Sequence, residues 1–413
     1  MTLESSKLFN GVGRTGLVNK MYGLASSTWD EEEIAVSTKI LQSGKLTMGQ
    51  EVRDFEQVFA KYIGTKYAVM FNSGSSANLA MFTALKYVSN SKMKDGDHVI
   101  VPAVSWSTTY YPINQSGYVL DFVDIDLKTL NIDVNLVESR ITEKTRAITA
   151  VNLLGNPSDL IFLEALAKKH NLYLIEDNCE SLGASINGRM AGSFGDMSSH
   201  SFFYSHHICT MEGGMVNTNS KELMETLISI RAHGWTRGLD SDNSVHPLSN
   251  NEWDDLFRFV LPGYNLRPIE LSGAIGKVQI RKFPKFLENR KRNADLFVQL
   301  MRTLSNYSIQ KENGSSSWFG FSIILNGKLS GLRNKLVELL ELNGVVTRPI
   351  VAGNFTLNPV MNHLKYNPLP LLGNADLVHT NGFFIGNHHF DVTEEIKRVY
   401  SLLLNFEEEH TGG

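Results

Sequence analysis

From residue 67 to residue 231 the chain alternates short, β-rich apolar runs with segments of helical period, and this alternation restricts the possible folds more than any other feature. "YAVMF" (67–71) reads as a strand, "NSGSS" as a turn and "ANLAMFTALKYV" as a helix. "DHVIVP", "VLDFVDI" and "TRAITAVNLL" follow as strands, then "LIFLEALAKKHN" as a helix and "LYLIED" as a strand. Apolar strands separated by helices bury both faces of a sheet only if it is mainly parallel, with helices on each side. "KELMETLISIRAHG" adds a further helix, closed by Gly234.

The second half reads differently. Residues 240–256 are polar and aperiodic, as in a surface loop. Beyond "LPGYNLRPIELSGAIGKVQI" a long amphipathic helix is expected over "FLENRKRNADLFVQLMRTL". "WFGFSIIL", "GLRNKLVELLELNG" and "VVTRPIV" then give strand, helix and strand, and "EEIKRVYSLLLNF" a closing helix. The expected organisation is a large α/β domain over residues 1–265, with an N-terminal extension, and a smaller α+β domain over 266–413.

Composition narrows the function classes. With 39 basic and 43 acidic residues spread evenly, the net charge of -4 argues against a nucleic-acid or anionic-membrane partner. No apolar run reaches membrane-spanning length, and "MTLESSKLFNGVGRTG" lacks a signal-peptide core, so a soluble, cytoplasmic chain is expected. Two cysteines, Cys179 and Cys209, are too few for a disulfide framework or a four-thiolate cluster, and no metal is expected.

Several residues carry candidate chemistry, each beside a plainer role. Gly74 and Ser75 of "NSGSSAN" present N–H groups and a hydroxyl to an anion at a helix N-terminus, or simply make a capped turn. Asp177 closes a buried strand at the edge where open α/β sheets bind ligands. It either caps the next helix or pairs with a cationic ring nitrogen, and Glu180 is placed to bond the same ligand. Trp106, on the same expected edge, is either core or a stacking face for a planar ring. Ser201 offers a second hydroxyl to a phosphate or is a solvated strand serine, and Asn265 sits in a Gly-bounded turn.

Taken in order, "NSGSSAN", "VPAVSW", "IEDNCE", "SFFYSHHICTMEGG" and "GYNLRP" closely resemble the sugar aminotransferases of the DegT/DnrJ/EryC type, which act on nucleotide-linked 4-keto-6-deoxyhexoses. The likeness runs from about residue 25 to residue 400. It implies the pyridoxal-phosphate transferase fold type I, with a mainly parallel seven-stranded sheet. Pyridoxal 5'-phosphate would be held by Gly74, Ser75, Trp106, Asp177, Glu180 and Ser201. Asn265 would reach the phosphate in the neighbouring subunit of a homodimer with shared active sites.

One departure matters most. Six residues before Glu212, where the family carries the lysine that attaches to the cofactor, stands His206. The subgroup with His there resembles the 3-dehydratases of deoxysugar pathways, and its iron–sulfur branch needs four cysteines. The remaining branch implies a GDP-linked 4-keto-6-deoxymannose as substrate, in colitose synthesis for O-antigen lipopolysaccharide. It further implies non-covalent pyridoxal phosphate, conversion to pyridoxamine phosphate by L-glutamate, and His206 as the base, at a pKa near ~6.5. His207 is expected to orient a neighbour or pack against substrate. A plain aminotransferase on another lysine, Lys221, or on a CDP- or dTDP-sugar is the rival reading, beside a non-catalytic binding protein on a lapsed scaffold.

Overall fold

A computed structural model describes residues 21–249 and 251–412. The reading of residues 1–16 as free of a signal core lies outside them. The chain opens with α1 (Glu31–Ser43) and α2 (Gln50–Ile63), then β1 (Tyr67–Phe71) and α3 (Gly74–Tyr87). β2 (His98–Pro102), α4 (Ser107–Gln115), β3 (Val119–Val123), the single turn α5 (Val134–Val137) and β4 (Thr145–Val151) follow. Next come α6 (Leu160–Lys169), β5 (Tyr173–Asp177) and the hairpin of β6 (Ser185–Ile186) and β7 (Arg189–Met190). β8 (Met197–Ser201), β9 (Gly214–Thr218) and α7 (Lys221–Arg231) complete this half.

Seven of these strands form one sheet in the order β1-β9-β8-β5-β4-β2-β3. The pairs from β8 to β3 are parallel, whereas β9 runs antiparallel to both β8 and β1. β1 therefore points the same way as β5, and its C-terminal end meets theirs at one edge. Alternation sorts the side chains. Val99, Val101, Tyr173 and Ile175 pack with α3, α4 and α7, whereas Ile100, Ile148 and Leu174 pack with Leu160, Leu163 and Leu166 of α6. Asp177 follows Tyr173 and Ile175 at even spacing, so it faces α3 and α4. Glu176 faces the other way, where its carboxylate accepts N–H bonds from Gly192, Phe194 and Gly195 at 2.6, 2.7 and 2.7 Å.

After α8 (Glu252–Asp255), one turn within the expected loop, α9 runs from Glu270 to Met301. It begins well before the expected segment at "FLENRKRN". Its early glycines are close-packing positions. A Cβ on Gly273 would stand 2.5 Å from the Val52 nitrogen, and one on Gly276 would overlap the Phe55 ring, so α2 crosses here only over bare backbone. Closure of α7 also differs from expectation. It ends at Arg231 with Ala232 as cap, while Gly234, at φ +80°, donates to the Ser229 carbonyl at 2.8 Å.

Beyond α9, β10 (Tyr307–Ser308), β11 (Gly320–Leu325), α10 (Arg333–Leu342), β12 (Thr347–Arg348), α11 (Gly373–Asn381), β13 (Gly382–Gly386) and α12 (Thr393–Thr411) follow. They build an antiparallel sheet of order β10-β11-β13-β12. Ile280 and Phe283 of α9 pack beside the large sheet with α2, whereas Ala294, Phe297 and Met301 pack with the small sheet, α10 and α12. Among the described residues no helix is long and apolar enough to cross a membrane.

Candidate active site

Asp177 ends β5 only 7% exposed. Its Oδ2 accepts from Thr109 Oγ1 at 2.7 Å and Asn78 Nδ2 at 2.9 Å; Oδ1 accepts from the Cys179 N–H at 3.3 Å and Ser199 Oγ at 3.4 Å. All four donors are neutral, and it makes no ion pair among the described residues. A buried carboxylate in that state lacks a counter-charge, which a protonated ring nitrogen supplies. Its bond from the Cys179 N–H is also the local contact that the capping alternative expects.

The turn after β1 packs closely against the end of β8. Ser73 caps α3 by accepting from the Ser76 N–H at 3.0 Å, leaving Gly74 and Ser75 at the first turn. A Cβ on Gly74 would lie 2.6 Å from Ser201 Cβ and 3.1 Å from Cys179 Sγ, and one on Gly214 would strike the Ser73 carbonyl. Glycine at both positions lets β8, β9 and the start of α3 pack backbone to backbone here. Ser75 Oγ donates to Thr108 Oγ1 at 3.0 Å, and the Thr108 carbonyl accepts from Asn78. Trp106 precedes α4 with 58% of its surface exposed, so it is not a core residue. These contacts bring Gly74, Ser75, Ser201, Trp106 and Asp177 to one edge, with the N–H groups of a fourteen-residue helix turned to it.

The histidine loop sits against a segment from the second half of the chain. Leu154, at φ +51°, donates its N–H to Glu180 Oε2 at 3.0 Å and accepts from the Phe319 N–H at 3.1 Å. The Phe319 ring then lies 5.3 Å from the His206 ring and 5.6 Å from that of His207. Burial, with the Asp177 charge adding to it, lifts the Glu180 carboxyl to about 7 against the Leu154 N–H. His207 is 1% exposed and its Nε2 donates to the Ser317 carbonyl at 3.2 Å. Nδ1 of His206 is buried without a hydrogen-bond partner.

The expected pKa of His206 needs correction. Burial first, and the Arg290 charge second, lower it to about 4 rather than leaving it near ~6.5. The ring is therefore neutral at physiological pH, the form that accepts a proton, although as a weaker base than a free imidazole.

Asn265 is not joined to this group by any contact. It is exposed, its Oδ1 accepts from Arg267 Nε at 3.0 Å, and its backbone bridges to Ala232. Its neighbour Leu266 accepts from the Asn72 N–H, so the segment is tied beside the turn after β1. Lys221 starts α7 at the surface, paired with Glu225 and Asp242, and does not serve a buried site. Asn78, Thr109, Phe319 and Arg290 were not anticipated. For Asn78 a signal existed, since it stands one turn along the helix face from Gly74; for Phe319 and Arg290 none did.

The mainly parallel seven-stranded sheet, with Gly74 at a helix N-terminus and the buried Asp177 at a strand end on one edge, has the aminotransferase fold. The chain belongs to the DegT/DnrJ/EryC1/StrS aminotransferase family, whose model matches residues 27–404. It is 48% identical over 384 residues to the GDP-4-keto-6-deoxy-D-mannose 3-dehydratase of Yersinia pseudotuberculosis, covering 92% of this chain and 98% of the relative. The Escherichia coli GDP-4-keto-6-deoxy-D-mannose-3-dehydratase with bound hydrated PLP superposes with a TM-score of 0.91 at 46% identity, covering 92% of this chain and 99% of that one. A structure of GDP-4-keto-6-deoxymannose-3-dehydratase with a trapped PLP-glutamate geminal diamine gives the same TM-score, 0.91, and the same identity, 46%, over 92% of this chain and all of the other.

Proposed function

We propose that the protein is a pyridoxal-phosphate-dependent nucleotide-sugar 3-dehydratase. It converts GDP-4-keto-6-deoxy-D-mannose to GDP-4-keto-3,6-dideoxy-D-mannose, with L-glutamate consumed and 2-oxoglutarate and ammonia released. One observation carries the reading: an imidazole, His206, stands where the family's lysine belongs, and the nearest lysine in the following segment, Lys221, is exposed and ion-paired. The site suits the cofactor, because Asp177 has no ion-pair partner among the described residues and Gly74 brings the N-terminus of α3 against Ser201.

When bound, the cofactor supplies an amine for the sugar's 4-keto carbon and a ring that takes up electrons. Asp177 holds the proton on the ring nitrogen, Trp106 covers a ring face, and Gly74, Ser75 and Ser201 bind the phosphate. Glu180, poised near neutrality at about 7, exchanges a hydrogen bond with a further group of the ligand. Neutral His206 takes the proton from the methylene carbon beside the ring and returns it to the departing 3-hydroxyl, which leaves as water. Having no primary amine, His206 does not compete for the carbonyl, so chemistry at carbon 3 is not diverted to amine transfer.

The proposed assembly is a homodimer in which Asn265 completes the partner's phosphate site. Activity is expected to vanish on dilution to monomers, and a fully active monomer in sedimentation contradicts it. The proposed domain division is a cofactor-binding unit over 1–265 and a smaller unit over 266–413. The proposed location is the cytoplasm, and the proposed pathway is colitose synthesis for O-antigen lipopolysaccharide. The direct test is incubation with L-glutamate and GDP-4-keto-6-deoxymannose. Mass spectrometry is expected to find a keto product lacking one oxygen atom; an amino sugar instead assigns the protein to transamination.

A further inference from the structure

Arg290 is anomalous. It lies on α9 at 4% exposure, yet it makes no ion pair among the described residues. Its Nη1 donates only to carbonyls, those of Asn387 at 2.9 Å, Phe319 at 3.2 Å and Trp318 at 3.4 Å, and its Nε has no partner. A buried guanidinium without a carboxylate costs stability, and an apolar side chain of similar volume would be cheaper there. What it grips is informative. Trp318 sits at φ +49°, a left-handed backbone that its bulky side chain disfavours, and its carbonyl also accepts from Asn387 Nδ2 at 2.9 Å. The next residue, Phe319, packs its ring on His206.

We propose that Arg290 is a positioning residue for His206, acting through the Trp318–Phe319 segment and through the fixed positive charge held behind it. The inference rests on the proposed function in taking His206 as the base. Two effects follow from one side chain. The carbonyl grip fixes where the Phe319 ring stands, and with it the orientation of the imidazole. The charge disfavours the imidazolium form, in the same direction as burial. Facing His206 are His207 and Phe203 on its own loop, Phe319 on the adjoining segment and Arg290 behind it; Glu180 reaches that segment through Leu154. The Arg290 charge also bears on Tyr22, His388 and His389, and Glu395 bears on the first two of these.

The test is an NMR titration of the His206 ring in the full-length protein, with and without added pyridoxal 5'-phosphate. The resonance is assigned by its loss in His206→Asn. Arg290→Met is expected to raise the midpoint by about one pH unit, and Arg290→Lys by less than half of that. The acid limb of the glutamate half-reaction, followed by cofactor absorbance, should move with it. An unmoved midpoint in Arg290→Met overturns the proposal, as does an equal rise in Arg290→Lys. Should Arg290→Met fail to fold, Phe319→Leu decides the geometric half. A loss of about tenfold or more in half-reaction rate with the midpoint held is expected, and a fully active Phe319→Leu overturns the proposal. Neither readout needs the sugar. A wild type that titrates as expected but does not dehydrate the GDP-sugar counts against the proposed function alone.

Discussion

At the scale of single residues, the proposed site depends on one carboxylate without an ion-pair partner and one neutral imidazole. Asp177 accepts from four neutral donors, two at each oxygen, so an amide in its place would turn its Nδ2 toward one pair of donors and carry no charge for a ring nitrogen. Asp177→Asn is therefore expected to keep its circular-dichroism spectrum and lose turnover on the order of 10²–10³-fold. Near-normal turnover removes Asp177 from its role. Asp177, Gly74 and Ser201 were legible in the sequence because each is marked locally, by a strand end or by a turn. Thr109 was not, since only packing of α4 on the sheet face brings it to the carboxylate, and Asn78 carried only its place one turn on from Gly74. The depressed His206 pKa was illegible for the same reason: burial and Arg290 come from the tertiary fold.

At the scale of elements, the join between β1 and α3 is the tightest part of the site. Gly74→Ala places a methyl group 2.6 Å from Ser201 Cβ, where the end of β8 cannot yield without disturbing its pairing with β9. Cofactor affinity, followed by absorbance titration, is expected to fall about fivefold to a hundredfold, since overpacking of about 1–3 kcal/mol shifts the turn proposed to hold the phosphate. Adding Ser201→Gly should recover part of it. Unchanged affinity in Gly74→Ala contradicts that role. The strand-and-helix alternation made the large sheet readable, because buried parallel strands are short apolar runs. The expected helix began at "FLENRKRN", whereas α9 starts at Glu270, where Gly273 and Gly276 let α2 cross close to its backbone.

At the scale of the whole molecule, the fold buries several imidazoles in neutral form. Burial lowers His200 to about 3, and His206, His388 and His389 to about 4, and it lowers His207 in the same direction. The unfolded chain, at about 6.5, binds these protons first, so stability is lost as pH falls from about 6.5 towards 4. Each histidine contributes a slope of up to about 1.4 kcal/mol per pH unit. Glu180, raised to about 7, works the other way and is outnumbered: the folded state holds its proton, so stability falls as pH rises from about 4.5 to 7. Urea midpoints are expected to drop between pH 6.5 and pH 5; a flat or rising profile contradicts the buried-imidazole account. The central claim is that His206 is the base of a dehydration. The most direct measurement is mass spectrometry of products from His206→Asn, supplied with pyridoxal phosphate, L-glutamate and GDP-4-keto-6-deoxymannose, beside the wild type. The variant is expected to bind the cofactor yet form no 3-deoxy product. Release of 3-deoxy product at a rate comparable with the wild type would show that the base lies elsewhere.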